Sequence, residues 1–412
     1  MNNITAFEHD WIYVGEGENE LKYSEFKSLE RFFKYSKTDM FTIGNKAVKF
    51  KQYVGVLKVG ETYIKVLPKI GQSHKGDWER LLFEMIINNK QIPKRFQSSI
   101  FSLNNNIIDI YIWELVREVE SIFRTEIRKG YNLRSKNSTS IKGKINFTKD
   151  VTVNHSDKSK KYIIYEEFNN NILENCIIYS AVVRAMSLTV NPHLIDALKE
   201  FELLFDLRDV KTINYKKILR YRPNFNRNNV KYKNAIELSR VIILGENPDG
   251  VGVDTSVVSF LFDMNKLYED YVYNLLKKQL TQKGISVKRE IREFWENKRI
   301  KPDIVIRNGK KTFVLDTKWK DVALKGVSDG DLKQMYIYNL YWNCSEAVLL
   351  YPSGDIHSKK VGGYREAAFM SERNIHSSFK CSTYEIPLFD SEGKVAPHLT
   401  LEPILKFIQL NN

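Results

Sequence analysis

The sequence is poor in residues that form metal-binding clusters. Its 412 residues contain three cysteines, and these lie far apart, as Cys176, Cys344 and Cys381, with no CxxC pair. The seven histidines show none of the spacings that metal ligands usually have. Because a structural zinc site needs closely placed Cys or His ligands, these absences argue against one.

The sequence also lacks a long apolar run and a nucleotide-binding loop. No segment approaches the ~20 apolar residues of a membrane span, and the first residues, MNNITAFEHDWIYVGEGENE, have neither the basic start nor the apolar core of a secretory signal. We therefore expect a cytoplasmic protein with no membrane partner. The pattern G-x-x-x-x-G-K-[ST] is absent, so a nucleotide-hydrolysing motor, if one is needed, must come from a partner.

What the chain has in excess is positive charge. It carries 64 Lys and Arg against 50 Asp and Glu, a formal net charge of +14. The excess is concentrated in residues 124–161, with eleven cations against three acids, and in residues 211–233, with eight cations and no acid. The second segment interleaves Tyr215, Tyr221, Phe225 and Tyr232. Cations mixed with aromatics are typical of nucleic-acid contact, although the charge also fits a soluble surface and the aromatics also fit the core of adjacent helices.

Length and periodicity predict an α+β protein of several domains. Residues 1–70 alternate and contain turn glycines, which predicts a β-rich N-terminal domain. Residues 71–250 have mainly helical periodicity, interrupted at about 130–165 by a polar, basic stretch that predicts a projecting hairpin. Within it, residues 141–147 are one strand candidate. Residues 246–253, ENPDGVGV, predict the boundary before an α/β domain at 251–412.

The clearest chemical signal lies at residues 299–320, RIKPDIVIRNGKKTFVLDTKWK. Two runs with strand-like alternation, 303–307 and 312–318, flank an Asn-Gly turn, which predicts a β-hairpin. The apolar run before the second acid indicates a buried strand, an expensive place for a carboxylate without a cation. The hairpin brings the two aspartates of the segment to one end.

Those aspartates, Asp303 and Asp316, are candidate metal ligands. Two neighbouring carboxylates repel each other and are stabilised by a shared divalent cation, which the backbone carbonyl of Thr317 would help to bind. Lys318 lies on the same strand face as Asp316 and can hold a water or a phosphate oxygen. An all-oxygen site suits Mg²⁺, for which Mn²⁺ can substitute. This pattern predicts a metal-dependent site that cleaves phosphodiester bonds.

Further elements are predicted on both sides of the hairpin. An amphipathic helix precedes it, a third strand candidate follows that helix, and a second helix and an apolar strand come after the hairpin. The predicted ranges are 264–279 for the first helix, 285–291 for the third strand candidate, 331–342 for the second helix and 346–351 for the apolar strand. The order is therefore helix, three strands, helix, strand.

This order and the motif resemble the PD-(D/E)xK restriction-endonuclease-like fold. The resemblance implies that Glu269, on the first helix, supports the metal site. It also implies that Gln334 and Tyr338, four apart on the second helix, orient the active lysine and the substrate. The alternatives are that Glu269 is an acid favourably placed near a helix start, and that Gln334 and Tyr338 belong to an ordinary amphipathic face.

The middle of the chain narrows the resemblance to the McrC family, nuclease subunits of McrBC-type modified-cytosine restriction systems. It rests on residues 140–150, SIKGKINFTKD, and 167–182, EFNNNILENCIIYSAV, and covers roughly residues 75–390. The family's last metal acid lies in Asp-Ala-Lys, where this chain has Asp-Thr-Lys. That departure is tolerable because the middle residue offers chiefly its carbonyl.

The family resemblance implies a Mg²⁺-dependent DNA endonuclease subunit that works with a McrB-like AAA+ GTPase hexamer on double-stranded DNA. GTP would be used by that partner and not by this chain. It also implies that the basic hairpin stimulates the partner's GTPase, with Arg134, Lys142 and Lys144 at or near the contact. The alternatives are a stand-alone DNA-repair-type nuclease, a non-catalytic DNA-binding adaptor and, for the hairpin, a solvated loop that steers DNA.

Overall fold

The structure is a computed structural model of the chain. It describes residues 2–36, 39–68, 70, 77–89, 107–244, 257–320, 326–353, 359–364, 379–390, 392–395, 404–405 and 407–408. The chain forms two compact units, the first made of Met1–Asn105 with Leu261–Asn412 and the second of Asn106–Phe260. The three-domain division at 1–70, 71–250 and 251–412 stays a prediction, and its predicted boundary at 246–253 lies outside the described residues.

The N-terminal part of the first unit is rich in strands. Its strands and helices are β1 Asn2–Phe7, β2 Trp11–Tyr13, α1 Tyr23–Ser36, β3 Phe41–Gly44, β4 Ala47–Phe50, β5 Tyr53–Val59, β6 Thr62–Leu67 and α2 Trp78–Asn89. β2, β4 and β3 form a small antiparallel sheet. β5 and β6 pair antiparallel as a hairpin around Gly60, whose φ of 56° suits a tight turn. β1 pairs parallel with β6.

The second unit is mainly helical and carries a small sheet. Its elements are α3 Ile107–Arg124, β7 Gly130–Ser138, β8 Lys144–Ile145, α4 Phe147–Val153, β9 Lys161–Asn169, α5 Leu173–Met186, α6 Pro192–Asp206, α7 Tyr215–Arg220, a 3₁₀ turn Val230–Tyr232 and α8 Lys233–Leu244. The sheet has the order β7-β9-β8, with both outer strands antiparallel to β9. Tyr232 is one of the aromatics interleaved with the cations of residues 211–233. It is fully buried, and its hydroxyl accepts a hydrogen bond from the Arg128 amide. Tyr232 is thus a core residue.

The strand predicted at 141–147 is wrong in most of its length. Only Lys144–Ile145 pairs as a strand, and Phe147 begins a helix. Two local features cause this. Gly143 has φ +78°, outside strand geometry, and the Asn146 side chain accepts a hydrogen bond from the Lys149 amide as a helix N-cap.

Asp109, in the first turn of α3, is a buried carboxylate that should make stability depend on pH. Its side chain is 4% exposed, and its Oδ1 has no hydrogen-bond partner among the described residues. Burial raises the pKa of Asp109 from 3.8 to about 6, against a hydrogen bond with Thr189 that lowers it. The folded state therefore binds this proton more tightly than the unfolded chain, so stability falls as pH rises from about 4 to 6.

We expect Asp109→Asn to raise the free energy of unfolding by about 2 kcal/mol above pH ~7 and to have little effect below pH ~4. Urea unfolding followed by circular dichroism at both pH values measures this. A gain of equal size at the two pH values would contradict the assignment of the effect to this carboxyl.

The C-terminal part of the first unit contains the predicted hairpin. Its elements are β10 Val257–Asp263, α9 Met264–Thr281, β11 Ser286–Lys288, β12 Arg292–Trp295, β13 Lys298–Ile300, β14 Ile304–Asn308, β15 Lys311–Thr317, α10 Asp329–Trp342, β16 Glu346–Ser353, β17 Lys359–Gly363 and β18 Lys380–Pro387. β10, whose last residues from Leu261 belong to the first unit, is the fourth strand of the sheet β1-β6-β5-β10. The predicted order of helix, three strands, helix and strand is present, with one unexpected two-stranded hairpin, β12-β13, inserted before β14.

A six-stranded mixed sheet, in the order β11-β14-β15-β16-β18-β17, forms the base of this region. β15, β16 and β18 are parallel neighbours, and the remaining pairs are antiparallel. One face of α10 packs on the sheet through a cluster of buried residues that includes Val314, Met335, Tyr338, Trp342 and Leu349. This packing fixes α10 over the strand that carries Asp316. None of the helices in the described ranges is long and apolar enough to cross a membrane.

Candidate active site

The hairpin of β14 and β15 brings two acids to the same end of the sheet. The strands pair antiparallel with Ile304 opposite Leu315, so one further residue places Asp303 opposite Asp316. The turn at the other end uses Gly309, whose φ of 56° is one that glycine adopts readily. The register thus sets both carboxylates beside each other through backbone pairing alone.

Asp316 is the most deeply buried of the predicted site residues. Its side chain is 2% exposed, and the Lys318 ammonium lies 2.5 Å from its Oδ2. The Gln334 amide lies at 3.5 Å from Oδ1. Burial, and next the negative charge of Asp303, raise the pKa of Asp316 to about 7, against the attraction of Lys318. A carboxylate in this setting gains strongly from any added positive charge.

Asp303 is held by the residue that follows the other acid. Its Oδ2 accepts hydrogen bonds from both the amide and the hydroxyl of Thr317, each at 2.7 Å. The Lys318 amide in turn donates to the Leu350 carbonyl on β16 at 2.9 Å. The threonine hydroxyl therefore gives Asp303 a second donor that alanine at this position would lack, which is a structural reason for Asp-Thr-Lys in this chain.

Lys318 begins a chain of hydrogen bonds that passes through two residues of α10 and ends at the Lys301 carbonyl. Its ammonium donates to Gln334 Oε1 at 3.1 Å, the Gln334 amide donates to the Tyr338 hydroxyl at 2.8 Å, and Tyr338 donates to the Lys301 carbonyl at 3.0 Å. Burial opposes the charge on Lys318, yet Asp316 holds its pKa above the usual value. Burial, and next Asp316, raise the pKa of Tyr338 well above its usual value, so the hydroxyl remains a donor. The chain fixes the lysine relative to both strands.

Glu269 lies near these groups but has a partner of its own. Burial, and next the charge of Asp303, raise the pKa of Glu269, which places the two carboxylates within electrostatic reach. Its Oε1 is 3.3 Å from Arg289, which also pairs with Asp270. The structure thus brings together five of the six predicted catalytic residues and leaves Glu269 beside them in an ion pair with Arg289.

Two residues that sequence reasoning missed also hold this end of β15. Trp319 donates its indole N–H to Glu8 at 2.7 Å, and its ring lies 5.2 Å from that of Tyr268. Glu8 is 2% exposed and directly follows β1. Trp319 could have been noticed in the sequence because it follows Lys318, but its partner Glu8 lies 311 positions away in the chain.

The donor set fits a hard divalent cation held by few protein ligands. In the parts of the chain that the structure describes, no group of three or more His, Cys, Asp or Glu side chains is placed to hold a metal ion. The available donors are oxygens of Asp303, Asp316 and the Thr317 carbonyl. Asp316 Oδ2 is buried and lies against the Lys318 ammonium. Mg²⁺ suits such a site because it commonly keeps several waters and takes only one or two carboxylates.

The sequence matches those of known restriction proteins. The family model described as "McrBC 5-methylcytosine restriction system component" matches residues 48–352, which is most of the chain. The chain belongs to this family. A curated relative, the Type IV methyl-directed restriction enzyme EcoKMcrBC of Escherichia coli (strain K12), is 23% identical over 299 residues, covering 63% of this chain and 82% of the relative.

A solved structure shares the fold of this McrBC-family chain. It is described as a refined half-complex from a tetradecameric assembly of Thermococcus gammatolerans McrB AAA+ hexamers with bound McrC. The match has a TM-score of 0.61 at 19% identity and covers 95% of each chain. The resemblance to the McrC family and the mixed α/β, multidomain architecture expected from the sequence are both confirmed.

In this McrBC-family chain, the three cations expected at a partner contact lie on or beside the sheet of the second unit. Arg134 is partly neutralised, with Glu167 at 3.3 Å and Asp209 at 3.8 Å. The Lys142 ammonium lies 4.9 Å from the centre of the Tyr165 ring. Lys144 is exposed. Their role in partner binding stays a prediction.

Proposed function

We propose that this chain is the DNA-cleaving subunit of a modification-dependent restriction complex, and that it acts with a McrB-like AAA+ GTPase ring. The observation that carries the proposal is the connected site in which Asp303, Asp316 and Lys318 are held together by Thr317 and Gln334. The arrangement and its sheet agree with a PD-(D/E)xK nuclease. The descriptions of the E. coli and T. gammatolerans proteins support the restriction system and the AAA+ partner.

Asp303, Asp316 and the Thr317 carbonyl would hold the metal in this proposal. A bound Mg²⁺ would lower the pKa of a coordinated water and stabilise negative charge on the phosphate. The chain's own residues do the rest of the positioning. Thr317 orients Asp303, and the Lys318 ammonium, kept charged by Asp316, is available to the negative charge that develops on the scissile phosphate.

Gln334 and Tyr338 keep Lys318 in place, since their hydrogen bonds reach the Lys301 carbonyl two residues before Asp303. This link gives the lysine and the first acid a common support. A long, flexible side chain would otherwise lose much rotamer freedom each time it met the substrate. Preorganisation of this kind is what a nuclease site requires and what an ordinary amphipathic helix face does not explain.

Two alternative functions are tested by the same reconstitution. A non-catalytic adaptor has no need of the full set of acids and lysine, so their presence favours an enzyme. A stand-alone repair-type nuclease would cut DNA as the purified chain, without nucleotide or partner. We expect cleavage of cytosine-methylated DNA only when the chain, a McrB-like partner, GTP and Mg²⁺ are combined. Cleavage by the chain alone at the same rate would favour the stand-alone nuclease, and no cleavage under any condition the adaptor.

The identity of the metal provides a separate prediction. Chelation of divalent cations should abolish cleavage, and Mg²⁺ or Mn²⁺ should restore it, because an all-oxygen site with two carboxylates suits small, hard cations. Ca²⁺ should bind but support little turnover, since its looser coordination places the water less well. The measurement is strand cleavage after each cation is added back to the chelated complex. Equal rates in Ca²⁺ and Mg²⁺ would count against the mechanism.

A further inference from the structure

The small hairpin of β12 and β13 exposes apolar side chains next to the candidate active site. Trp295 is 62% exposed and Phe294 is 46% exposed, and Ile291, just before β12, is 56% exposed. Solvent-facing clusters of large apolar side chains are uncommon and often mark contact surfaces. The hairpin ends at Ile300, and the chain then passes through Lys301 and Pro302 directly to Asp303.

The base of this hairpin is fixed to α10. Arg292 donates a hydrogen bond to the Tyr341 carbonyl, and its guanidinium lies 4.9 Å from the centre of the Trp342 ring. The rings of Phe294 and Tyr341 are 5.8 Å apart. Ile300 packs against the buried cluster beneath α10. The tip is therefore held at a set position relative to the helix that carries Gln334 and Tyr338.

Cations accompany the aromatics on the hairpin. Trp295 lies opposite Lys298, and Glu293 lies opposite Arg299, so Trp295 and Lys298 share one face. Lys301 follows, and its positive charge acts on Glu269 beside the site. In the described part of the chain, neither Lys298, Arg299 nor Lys301 forms an ion pair.

Charge favours nucleic acid as the occupant of this surface. From Ile291 to Lys301 the segment has four cations, and its two acids are Glu293 and Glu296. Glu293 is on the face opposite Trp295, and Glu296 lies in the turn with φ 44°. A surface of exposed tryptophan and unpaired lysine is chemically suited to sugars, bases and phosphates.

We propose that the hairpin is an arm that contacts the DNA beside the scissile bond, with Trp295 packing on sugar or base and Lys298, on the same face, contacting a phosphate. The proposal rests on the nuclease function proposed above and assigns it a substrate-positioning surface. From Lys298 to Asp303 the chain spans at most about 17 Å. The contacts therefore fall within about five base pairs of the cleaved phosphate.

DNA binding without divalent cations tests this arm. The assay is fluorescence anisotropy of the full chain with a short labelled duplex over a range of salt concentrations. We expect Trp295→Ala to weaken binding about tenfold and Trp295→Phe, which keeps a ring, to retain most of the affinity. Lys298→Gln should reduce the slope of log affinity against log salt by about 1, because one phosphate contact is lost.

A matched control lies on the neighbouring hairpin. Lys310 and Lys311 are exposed at the opposite end of β14 and β15, away from the acids. Lys310→Gln removes the same charge from this other hairpin and should leave the affinity within about twofold of the unchanged chain and the salt slope unchanged. An equal loss in this control variant would indicate general charge attraction and would overturn the proposal.

Two other outcomes overturn the proposal. If the Trp295 and Lys298 variants bind DNA with the same affinity as the unchanged chain, the hairpin does not contact DNA. If these variants bind DNA normally but no longer assemble with the AAA+ partner, the exposed surface of the hairpin contacts protein and not DNA. Because binding is measured without a catalytic metal, the result is independent of cleavage. Failure of the nuclease assignment appears instead as unchanged cleavage when Asp316 is replaced.

Discussion

Replacing Asp316 by Asn is expected to reduce DNA cleavage by the assembled complex about 10³-fold or more, while the chain folds and binds its partner normally. The loss is large because one substitution removes a proposed metal ligand and the charge that lies against Lys318. The amide keeps the size of the carboxylate and removes its charge, so packing beneath α10 should persist. The measurements are the single-turnover rate of strand cleavage in Mg²⁺ and the circular dichroism spectrum of the variant.

The control for this variant is Asp329→Asn. Asp329 is an exposed acid in the first turn of α10, so its replacement removes the same charge close to the site without touching the metal ligands. Its cleavage rate should remain within about threefold of the unchanged chain. Cleavage by Asp316→Asn at the normal rate would show that the site lies elsewhere, and an equal loss in both variants would indicate a general effect of charge.

The second large effect concerns the partner's GTPase. If the chain stimulates the GTPase of a McrB-like ring as proposed, simultaneous replacement of Arg134, Lys142 and Lys144 by Ala is expected to remove most of that stimulation. These cations lie on or beside the sheet of β7, β9 and β8, which we call the basic sheet, and α4 exposes Phe147 and Val151. Cations at an interface commonly meet acidic residues of the partner. The measurement is the GTP hydrolysis rate of the ring with and without the variant, in the absence of DNA.

The structure refines what each cation should contribute to that effect. Arg134 pairs with Glu167 and Asp209 within its own unit, so its loss also removes two internal contacts. Lys144 is exposed and Lys142 lies over Tyr165, so Lys142→Ala with Lys144→Ala is the variant that least disturbs the sheet. If stimulation persists in both variants while retention on DNA weakens, the segment steers DNA and does not dock on the ring.

A charge-matched control distinguishes docking from the general basicity of the second unit. Lys199, Lys216 and Lys217 are exposed cations on α6 and α7, outside the segment that carries the three candidate cations. Changing these three to Ala removes the same charge. Stimulation should remain within about twofold of normal, because exposed charges outside the docking segment contribute little at physiological salt.

The parts of the site that the sequence predicted are those fixed by local pairing. Asp303 and Asp316 lie together because a short turn sets the register of adjacent strands, and this register is visible as alternation around Asn-Gly. Gln334 and Tyr338 lie four apart on one helix, a spacing that sequence also displays. The hydrogen bond from Lys318 to Gln334, and the one from Gln334 to Tyr338, follow from the packing of that helix on the sheet.

Other parts could not be predicted because they depend on packing between distant segments. Nothing near Glu8 indicates that it accepts a hydrogen bond from Trp319, since the two are joined only in the folded unit. The ion pair of Glu269 with Arg289 likewise depends on how α9 meets the strand that follows it. At residues 141–147, apolar content suggested a strand, but the N-cap at Asn146 and the φ of Gly143 decided the outcome.

The discontinuous first unit imposes an order on folding as the chain leaves the ribosome. Residues 1–105 emerge first, yet the surfaces that α2 and Glu8 present are completed only by α9 and Trp319, which are made after the whole of Asn106–Phe260. The helical unit can therefore fold while the segment before it still waits for its C-terminal half. The candidate site, where Trp319 beside Lys318 is held by Glu8, is therefore complete only after both parts of the first unit have been made.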